Sequence, residues 1–251
     1  MAALDEIVNY LDRELNTASI ADYPGAVNGL QLANPGQIGR VVAAVDASLP
    51  VIKAAAEGGP GLLIVHHGMF WQGVMPVTGA FYHKLKIAME AGLAIYSSHL
   101  PLDVHPEWGN NILLARAVGM TEIVPFFDQK GLVIGVRGDW NGTRVKLRDV
   151  LEEILGSGVH ICPGGGEMIA KIGLITGGAG SEVAKVAAAG VDCFITGEGP
   201  HWSYPLAEEL ELNVYYAGHY ATETFGVKAL AQRISEEFDI PWEFLNHPTG
   251  L

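Results

Sequence analysis

The chain contains two copies of one pattern, and this internal repeat restricts the fold more than any other feature of the sequence. Each copy has an apolar run, an alanine-rich stretch with apolar residues three and four positions apart, and a second apolar run next to glycine. Short apolar runs of this kind are typical of buried parallel strands, and the spacing of three and four is typical of a crossover helix. The segments are 41–45, 49–58 and 62–65 in the first copy, and 172–175, 181–190 and 193–196 in the second.

Both copies continue into a third apolar run that leads to a histidine and, four residues later, a carboxylate. The first run leads to His99 and Asp103, and the second leads to His219 and Glu223. His219 lies 120 residues after His99, and Glu223 lies 120 residues after Asp103. Helical patterns follow at 110–118 and 225–234. Each copy therefore predicts a strand, helix, strand, helix and strand.

This order of elements predicts an α/β protein with two similar halves, each built on a mainly parallel sheet with right-handed crossovers. We place the boundary near Pro125, which gives a first half at 1–125 and a second half at 126–251. The sequence between and before the copies predicts an amphipathic helix at 3–16, an extra strand at 131–137 and a surface helix at 146–155.

Polar residues follow the predicted strands at their carboxyl ends, where open parallel sheets bind their ligands. Glu198 occupies the position in the second copy that His67 has in the first. Imidazole and carboxylate groups together suit zinc, iron, manganese or nickel, so we expect a divalent transition-metal site in the cleft at these strand ends. The candidate residues are His66, His67, His99, Asp103, Glu198, His219 and Glu223.

The adjacent histidines His66 and His67 would point to opposite faces of a regular strand. At a strand end followed by Gly68, each is able to serve a different ion; the alternative is one buried and one exposed structural histidine. Asp103 is a stronger ligand candidate, because Pro101 favours an extended chain that directs this carboxylate toward the site.

His99 and Glu198 each have more than one interpretation. His99 is either a metal ligand or a group that orients one. Glu198 is a general base, a group that orients a ligand, or a buried cap. The remaining histidines lack a carboxylate at ligand spacing, and we expect surface or capping roles for His83, His105, His160, His201 and His247.

The charge of the chain excludes several classes of function. The formal net charge is −13 and the pI is about 5.0, and no cluster of lysine and arginine is present to pair with a nucleic-acid backbone. The first residues lack the pattern of a signal peptide, and no apolar run reaches 18 residues, so we expect a cytoplasmic protein with no membrane segment. Cys162 and Cys193 have no CxxC spacing, and we expect both to be buried apolar residues.

Four motifs occur in order along the chain: His-His-Gly-Met-Phe-Trp at 66–71, Ser-Ser-His-Leu-Pro-Leu-Asp at 97–103, Thr-Gly-Glu at 196–198 and Gly-His-Tyr-Ala-Thr-Glu at 218–223. Taken together they resemble the NIF-three-like family, whose members are commonly named GTP cyclohydrolase I type 2 homologues. The resemblance covers essentially the whole chain. It implies a dinuclear metal centre in a ring-shaped homohexamer. It also implies that Glu223 bridges two ions, that His99 and Glu198 lie at the rim, and that the ligands are His66, His67, Asp103, His219 and Glu223.

The leading hypothesis for function is a metal-dependent hydrolase, of the cyclohydrolase or phosphatase type, that acts on a nucleotide or a similar phosphorylated small molecule. Two neighbouring ions activate water for such reactions, and Glu198 or His99 would move its proton. The alternative is a non-catalytic metal-binding or metal-delivery protein that acts through protein partners. A carrier predicts full metal occupancy without turnover, whereas a hydrolase predicts turnover on at least one substrate.

Overall fold

The computed structural model describes residues 1–251 and contains two compact units. The first unit is Met1–Leu102 together with Gly226–His247, and the second is Asp103–Phe225 together with Pro248–Leu251. In chain order, the elements up to residue 103 are β1 (Ala2–Ala3), α1 (Leu4–Glu14), β2 (Gly29–Leu32), β3 (Gln37–Ile38), β4 (Val41–Asp46), α2 (Leu49–Glu57), β5 (Gly61–His67), α3 (Gly79–Ala91), β6 (Leu93–Ser97) and α4 (Leu100–Asp103).

A mainly parallel sheet lies at the centre of the first unit. β4, β5 and β6 are parallel neighbours, and β2 adds an antiparallel edge next to β6. Helix α2 begins where the Ser48 side chain accepts a hydrogen bond from Val51 N, and α3 ends at Gly92, whose φ of 67° favours glycine. The strand, helix, strand, helix and strand predicted for the first copy are all present.

The second unit has the same alternation around a mixed sheet. A 3-10 turn at residues 180–182 precedes its first crossover helix. Its helices and strands are α5 (Asn110–Val118), β7 (Thr121–Gln129), β8 (Leu132–Thr143), α6 (Arg144–Leu155), β9 (His160–Pro163), β10 (Met168–Ile175), α7 (Val183–Ala188), β11 (Cys193–Thr196), α8 (Ser203–Glu209), β12 (Asn213–Tyr216) and α9 (His219–Thr222).

The order of strands in the second sheet is β7-β8-β10-β11-β12-β9. β10, β11 and β12 are parallel, as the repeat predicts, whereas the β7–β8 hairpin and β9 pair antiparallel at the two sides. The predicted extra strand and surface helix are confirmed as β8 and α6. The α/β fold class is therefore confirmed, but the flanking hairpin and β9 make the second sheet mixed rather than mainly parallel.

The last two elements, α10 (Thr224–Phe238) and β13 (Trp242–Phe244), return the chain to the first unit. β13 pairs parallel with β4 and completes the sheet order β13-β4-β5-β6-β2. In contrast, α5 and β7 belong to the second unit, because β7 pairs with β8 and α5 packs into that unit's core. The compact units are thus bounded differently from the predicted halves at 1–125 and 126–251.

Each unit has its own apolar core beside its sheet. In the first, the alternating residues of β4 and β5 pack against α2 and α3; in the second, β10, β11 and β12 pack against α5 and α6. Cys162 and Cys193 are both buried, and burial raises the pKa of both thiols. None of the helices has the combination of length and apolar character needed to cross a bilayer.

Candidate metal centre

Three histidines gather at the carboxyl ends of neighbouring strands in the first unit. His66 and His67 end β5, and His99 follows β6. One ring nitrogen of each lies within 4.8 Å of those of the other two. The imidazole centroids of His66 and His67 are 4.8 Å apart, although adjacent residues of a regular strand point to opposite faces. The end of β5 therefore brings both rings to one place.

Each of these rings is fixed by a hydrogen bond at Nδ1. His66 Nδ1 donates to the carbonyl oxygen of Ser98 at 2.9 Å, and His67 Nδ1 contacts Asp46 Oδ1 at 2.8 Å. His99 Nδ1 contacts Asp22 Oδ1 at 2.9 Å. Because carbonyl and carboxylate oxygens accept, Nδ1 carries a proton in all three rings, and Nε2 is the ring nitrogen on the side away from that hydrogen bond. This arrangement is typical of metal-binding histidines.

Asp22 is a buried carboxylate that ties His99 to the surrounding loop. Its oxygens also accept hydrogen bonds from Asn28 Nδ2 at 2.8 Å and from the backbone nitrogen of Leu100 at 2.9 Å. Burial raises the pKa of Asp22, but the hydrogen bonds and charge of His99, with those of Asn28 and Leu100, outweigh it and lower the pKa. Asp22 is therefore ionised at neutral pH.

Two aromatic side chains lie beside the histidines of the first unit. The Trp71 ring meets His99 edge-on at a centroid distance of 4.8 Å and meets His67 at 5.8 Å. Tyr23 lies 6.0 Å from His99. Gly25 packs so closely on the backbone of Trp71 that a Cβ there would come within 2.7 Å of its carbonyl oxygen. The loop that carries Trp71 is consequently held against the cluster.

A second group of ionisable side chains forms in the second unit around α9. His219 Nε2 lies 3.2 Å from Glu223 Oε2, and His219 Nδ1 lies 2.8 Å from Glu198 Oε1. The spacing of four residues stacks His219 and Glu223 on one side of the helical turn, as predicted. Burial lowers the pKa of His219, but the two carboxylates outweigh it and raise the pKa to about 9. The imidazole is therefore charged at neutral pH and forms an ion pair with each of the two carboxylates.

The loop after β10 positions this second group. Gly177 has a φ of 68°, and its backbone nitrogen donates to Thr222 Oγ1 at 3.1 Å. Its carbonyl oxygen accepts from the backbone nitrogen of Glu198 at 3.0 Å. A Cβ at position 177 would collide with the carboxylate of Glu223. Glycine at position 177 therefore allows the loop to pack against the Glu223 carboxylate and to bond the backbone of Glu198.

Asp103 lies in the second unit at the end of α4, so the extended chain expected at Pro101 is wrong: residues 100–103 form a short helix. Asn110 Nδ2 donates to Asp103 Oδ1 at 2.8 Å, and Asn111 Nδ2 donates to the Asp103 carbonyl oxygen at 3.1 Å. Asn111 Oδ1 in turn accepts from the backbone nitrogen of Thr176 at 2.9 Å. The side chains of Asp103 and both asparagines are buried. Asn110 thus orients the carboxylate, and Asn111 links the Asp103 backbone to Thr176.

The structure brings six of the seven predicted site residues together in two groups, each within one unit. His66, His67 and His99 form the first, and His219, Glu223 and Glu198 form the second. A ring nitrogen of His99 lies within 4.8 Å of ring nitrogens of the two β5 histidines. Outside these groups, His105 has a capping role, since its Nδ1 accepts from the backbone nitrogens of residues 107 and 108.

Sequence patterns missed three residues that support these groups. Asp46 was identifiable, because it ends β4 and pairs in register with His67. Asp22 lies in a loop without a periodic signal, 77 residues from His99. Gly177 is one of 32 glycines, and nothing local separates it from the others.

Comparison with known proteins gives a consistent result across the whole chain. A model of the family described as Duf34/NIF3 (NGG1p interacting factor 3) matches residues 2–249. A Deinococcus radiodurans protein named GTP cyclohydrolase 1 type 2 homolog is 43% identical over 251 residues, covering 98% of this chain and 94% of that protein. An Escherichia coli protein of the same name is 36% identical and covers 97% of both. The crystal structure of a Thermus thermophilus protein aligns with a TM-score of 0.91 at 37% identity, covering 99% of this chain and 100% of the other.

Proposed function

The chain belongs to the Duf34/NIF3 family, and from that premise we propose that it binds two divalent transition-metal ions and uses them to hydrolyse a nucleotide or another phosphorylated small molecule. The relatives named GTP cyclohydrolase 1 type 2 homolog support the nucleotide class. Cyclohydrolase and phosphatase chemistry both fall within this function.

The observation that carries the metal proposal is the state of the imidazoles. Four histidines of the two groups, His66, His67, His99 and His219, each have Nδ1 held by a carbonyl or carboxylate oxygen. A histidine that only packs in the core does not need an oxygen acceptor at Nδ1. A metal-binding histidine almost always has one, because the ion binds Nε2 and the acceptor at Nδ1 orients the ring. In the second unit, His219 Nε2 lies 3.2 Å from Glu223 Oε2, and the raised pKa of His219 shows that this pair of groups holds a positive charge, here a proton. A metal cation would replace that proton. The donor set therefore fits a divalent metal.

We assign His66, His67, Asp103, His219 and Glu223 as the ligands of the two ions, with Glu223 as the bridging carboxylate. Nitrogen and oxygen donors without thiolate suit zinc, iron, manganese or nickel. Hydrogen bonds from the imidazoles to Asp46, Asp22 and Glu198 keep the rings in the binding orientation.

When bound, two divalent ions lower the pKa of a shared water and polarise the group that is attacked. The side chains supply the proton transfers. Glu198 is the better proton acceptor, since its side chain is 46% exposed and only its Oε1 is engaged with His219. His99 is the second candidate, although Asp22 holds its Nδ1 and leaves proton exchange to Nε2.

Metal analysis of the purified protein tests the first part of the function. We expect close to two transition-metal ions per chain in the wild type and a clear loss in His67→Ala. His83→Ala is the matched control, because His83 is exposed on α3. Fewer than one ion per chain in the wild type, or equal metal content in both variants, would contradict the metal centre.

A substrate screen tests the second part. The metal-loaded protein is incubated with nucleotides and phosphate esters, and release of phosphate, formate or a new base is measured. Turnover that is lost in Glu198→Gln at unchanged metal content supports the hydrolase. Full metal occupancy with no turnover on any substrate would refute the hydrolase and favour a metal carrier.

A further inference from the structure

Gln31 lies at an irregularity in β2, the edge strand of the first unit's sheet. β2 pairs antiparallel with β6, where Leu30 lies opposite Tyr96 and Leu32 lies opposite Ile95. Gln31 is therefore an extra residue of β2 with no counterpart in β6, which is the arrangement of a β-bulge. Bulges redirect a side chain away from the regular alternation of a strand, and they are common beside functional sites. The position of Gln31 thus calls for an account of what its side chain does.

The Gln31 carboxamide makes three hydrogen bonds to the backbone of two loops. Its Nε2 donates to the carbonyl oxygens of Ala26 and Val27, at 3.1 and 2.9 Å. Its Oε1 accepts from the backbone nitrogen of Met69 at 2.7 Å. Both N–H groups and the oxygen are therefore engaged, and a rotated carboxamide would set its oxygen against two carbonyl oxygens. We call these three hydrogen bonds the Gln31 clamp.

The two loops connected by the Gln31 clamp flank the histidine cluster of the first unit. The loop at residues 22–28 carries Asp22, which contacts His99 Nδ1 at 2.9 Å. The loop at residues 68–73 carries Trp71, whose ring meets that of His99 edge-on at a centroid distance of 4.8 Å. One side chain therefore connects the two loops that contact this imidazole from different directions.

The backbone of both loops is adapted to the Gln31 clamp. Val27 has a φ of 43°, in the left-handed region that a β-branched residue rarely adopts, and its carbonyl oxygen accepts from Gln31. Gly68 packs directly on the carboxamide, and a Cβ there would overlap it. A strained backbone persists only where the surrounding contacts over-determine it. The hydrogen bond from Gln31 is a contact of this kind.

We propose that Gln31 is a positioning residue: its carboxamide holds the two loops together and thereby fixes the Trp71 ring against His67 and His99. The ring contact restricts how these imidazoles tilt, and a contact that orients a metal-binding histidine affects how tightly the ion is held. The inference rests on the proposed function only for this effect on metal binding. The position of Trp71 itself is tested on metal-free protein.

The first variant changes the chemistry of the clamp but not its shape. Gln31→Glu keeps the oxygen that accepts from Met69, but it replaces both N–H donors by a carboxylate oxygen that faces two carbonyl oxygens. The loops are then expected to separate. Gln37→Glu makes the same change of charge at an exposed position of β3 and is the matched control.

The second variant breaks the clamp from the opposite side. Gly68→Ala leaves Gln31 in the sequence, but its Cβ occupies the space of the carboxamide and displaces it. Gly39→Ala is the matched control, because the nearest atom to a Cβ at position 39 is 3.6 Å away. Gly68→Ala also decides the question if Gln31→Glu does not fold.

Tryptophan fluorescence of chelator-treated protein at pH 7 measures the surroundings of the Trp71 ring. The chain has five tryptophans, so the contribution of Trp71 is the difference between each protein and the same protein carrying Trp71→Phe. In Gln31→Glu and in Gly68→Ala, we expect this emission to shift to longer wavelength and its quenching by acrylamide to increase. The two changes break one clamp, so the double variant should shift the emission no further than the larger single shift.

Unchanged Trp71 emission in either folded variant, additive shifts in the double variant, or an equal shift in either control would overturn the proposal. A purely structural role of Gln31 predicts a lower free energy of unfolding with unchanged Trp71 emission in the folded protein. The spectroscopic readout therefore separates positioning from general stability.

Calorimetric titration of the chelator-treated protein with Ni²⁺ or Zn²⁺ measures the effect on metal binding. We expect Gln31→Glu to bind either ion about tenfold more weakly than the wild type, the lower end of the range for a lost contact to a metal-binding histidine. If the wild type binds the ions and Gln31→Glu binds them equally well, the positioning role is refuted and the metal centre is retained. If the wild type binds neither ion but Trp71 shifts in both variants, the metal centre is refuted and the role of Gln31 in placing Trp71 is retained.

Discussion

Replacement of Asp22 by asparagine tests how strongly a buried carboxylate holds the histidine cluster of the first unit. The Asp22 side chain is only 6% exposed, and four groups donate to it: the backbone nitrogens of Tyr23 and Leu100, Asn28 Nδ2 and His99 Nδ1. Asparagine keeps one acceptor oxygen and turns an amide N–H2 toward donors. At least one buried donor then loses its partner.

The expected cost follows from the hydrogen bonds that are lost. A hydrogen bond to a charged group contributes about 1.5 to 3 kcal/mol, and a buried donor left without a partner costs about 1 to 3 kcal/mol. Because the site is nearly closed to solvent, little of this is screened. We expect Asp22→Asn to lower the free energy of unfolding at pH 7 by about 3 kcal/mol.

The stability difference between wild type and Asp22→Asn should also depend on pH. The pKa of Asp22 is lowered from its ordinary value of 3.8, so its carboxylate stabilises the fold above that pH and the stabilisation is lost as the pH falls through the folded value. The difference between wild type and Asp22→Asn should therefore shrink below about pH 4.

Urea unfolding followed by circular dichroism at pH 7 and at pH 3 measures the loss of unfolding free energy and its dependence on pH. Asp139→Asn, at an exposed position of β8, is the control and should change stability by less than about 0.5 kcal/mol. A loss below about 1 kcal/mol for Asp22→Asn at pH 7 would refute the assigned network. A loss that is as large at pH 3 would refute the role of the charge.

Other predictions concern the second unit and the assembly. Gly177→Ala and Gly119→Ala both place alanine at a positive φ and should each cost about 1 to 2 kcal/mol, but only the first directs a Cβ at Glu223, so metal content should fall in Gly177→Ala alone. Because the pKa of His219 is raised to about 9, metal binding at pH 7 should release a proton, and apparent affinity should rise with pH up to about 9. Calorimetry in buffers of different ionisation enthalpy measures this release, and its absence would remove His219 from the ligands. Light scattering should detect six chains of 26.7 kDa if the resemblance predicts the ring correctly, and a monomer would contradict it.

Much of the fold could be predicted because its determinants are local. The apolar runs and the alanine-rich stretches of both copies became the parallel strands and crossover helices, since each segment is buried in its own unit's core. The pair His219 and Glu223 also followed from spacing, because four residues make about one helical turn. The repeat is less regular at its end. Ser97 and Tyr216 occupy matching strand positions, but His99 follows two residues after Ser97 whereas His219 follows three residues after Tyr216, with Gly218 as the additional residue.

The boundaries of the compact units were not predictable in this way. Strand β13 pairs with β4 across about 200 residues of chain, and no local pattern records which sheet edge a terminal strand completes. For the same reason α5 and β7 follow the first copy in sequence but pack in the second unit.

The sequence by itself determined the α/β alternation, the repeat and the types of donor at the strand ends, because hydrophobic periodicity and residue chemistry are properties of short segments. The tertiary structure decided how each histidine is used. His66 is fixed by a carbonyl 32 residues away, His67 by a carboxylate 21 residues away, and His99 by a carboxylate 77 residues away. The nitrogen that a histidine presents depends on the acceptor at its other nitrogen, and folding alone brings that acceptor into place.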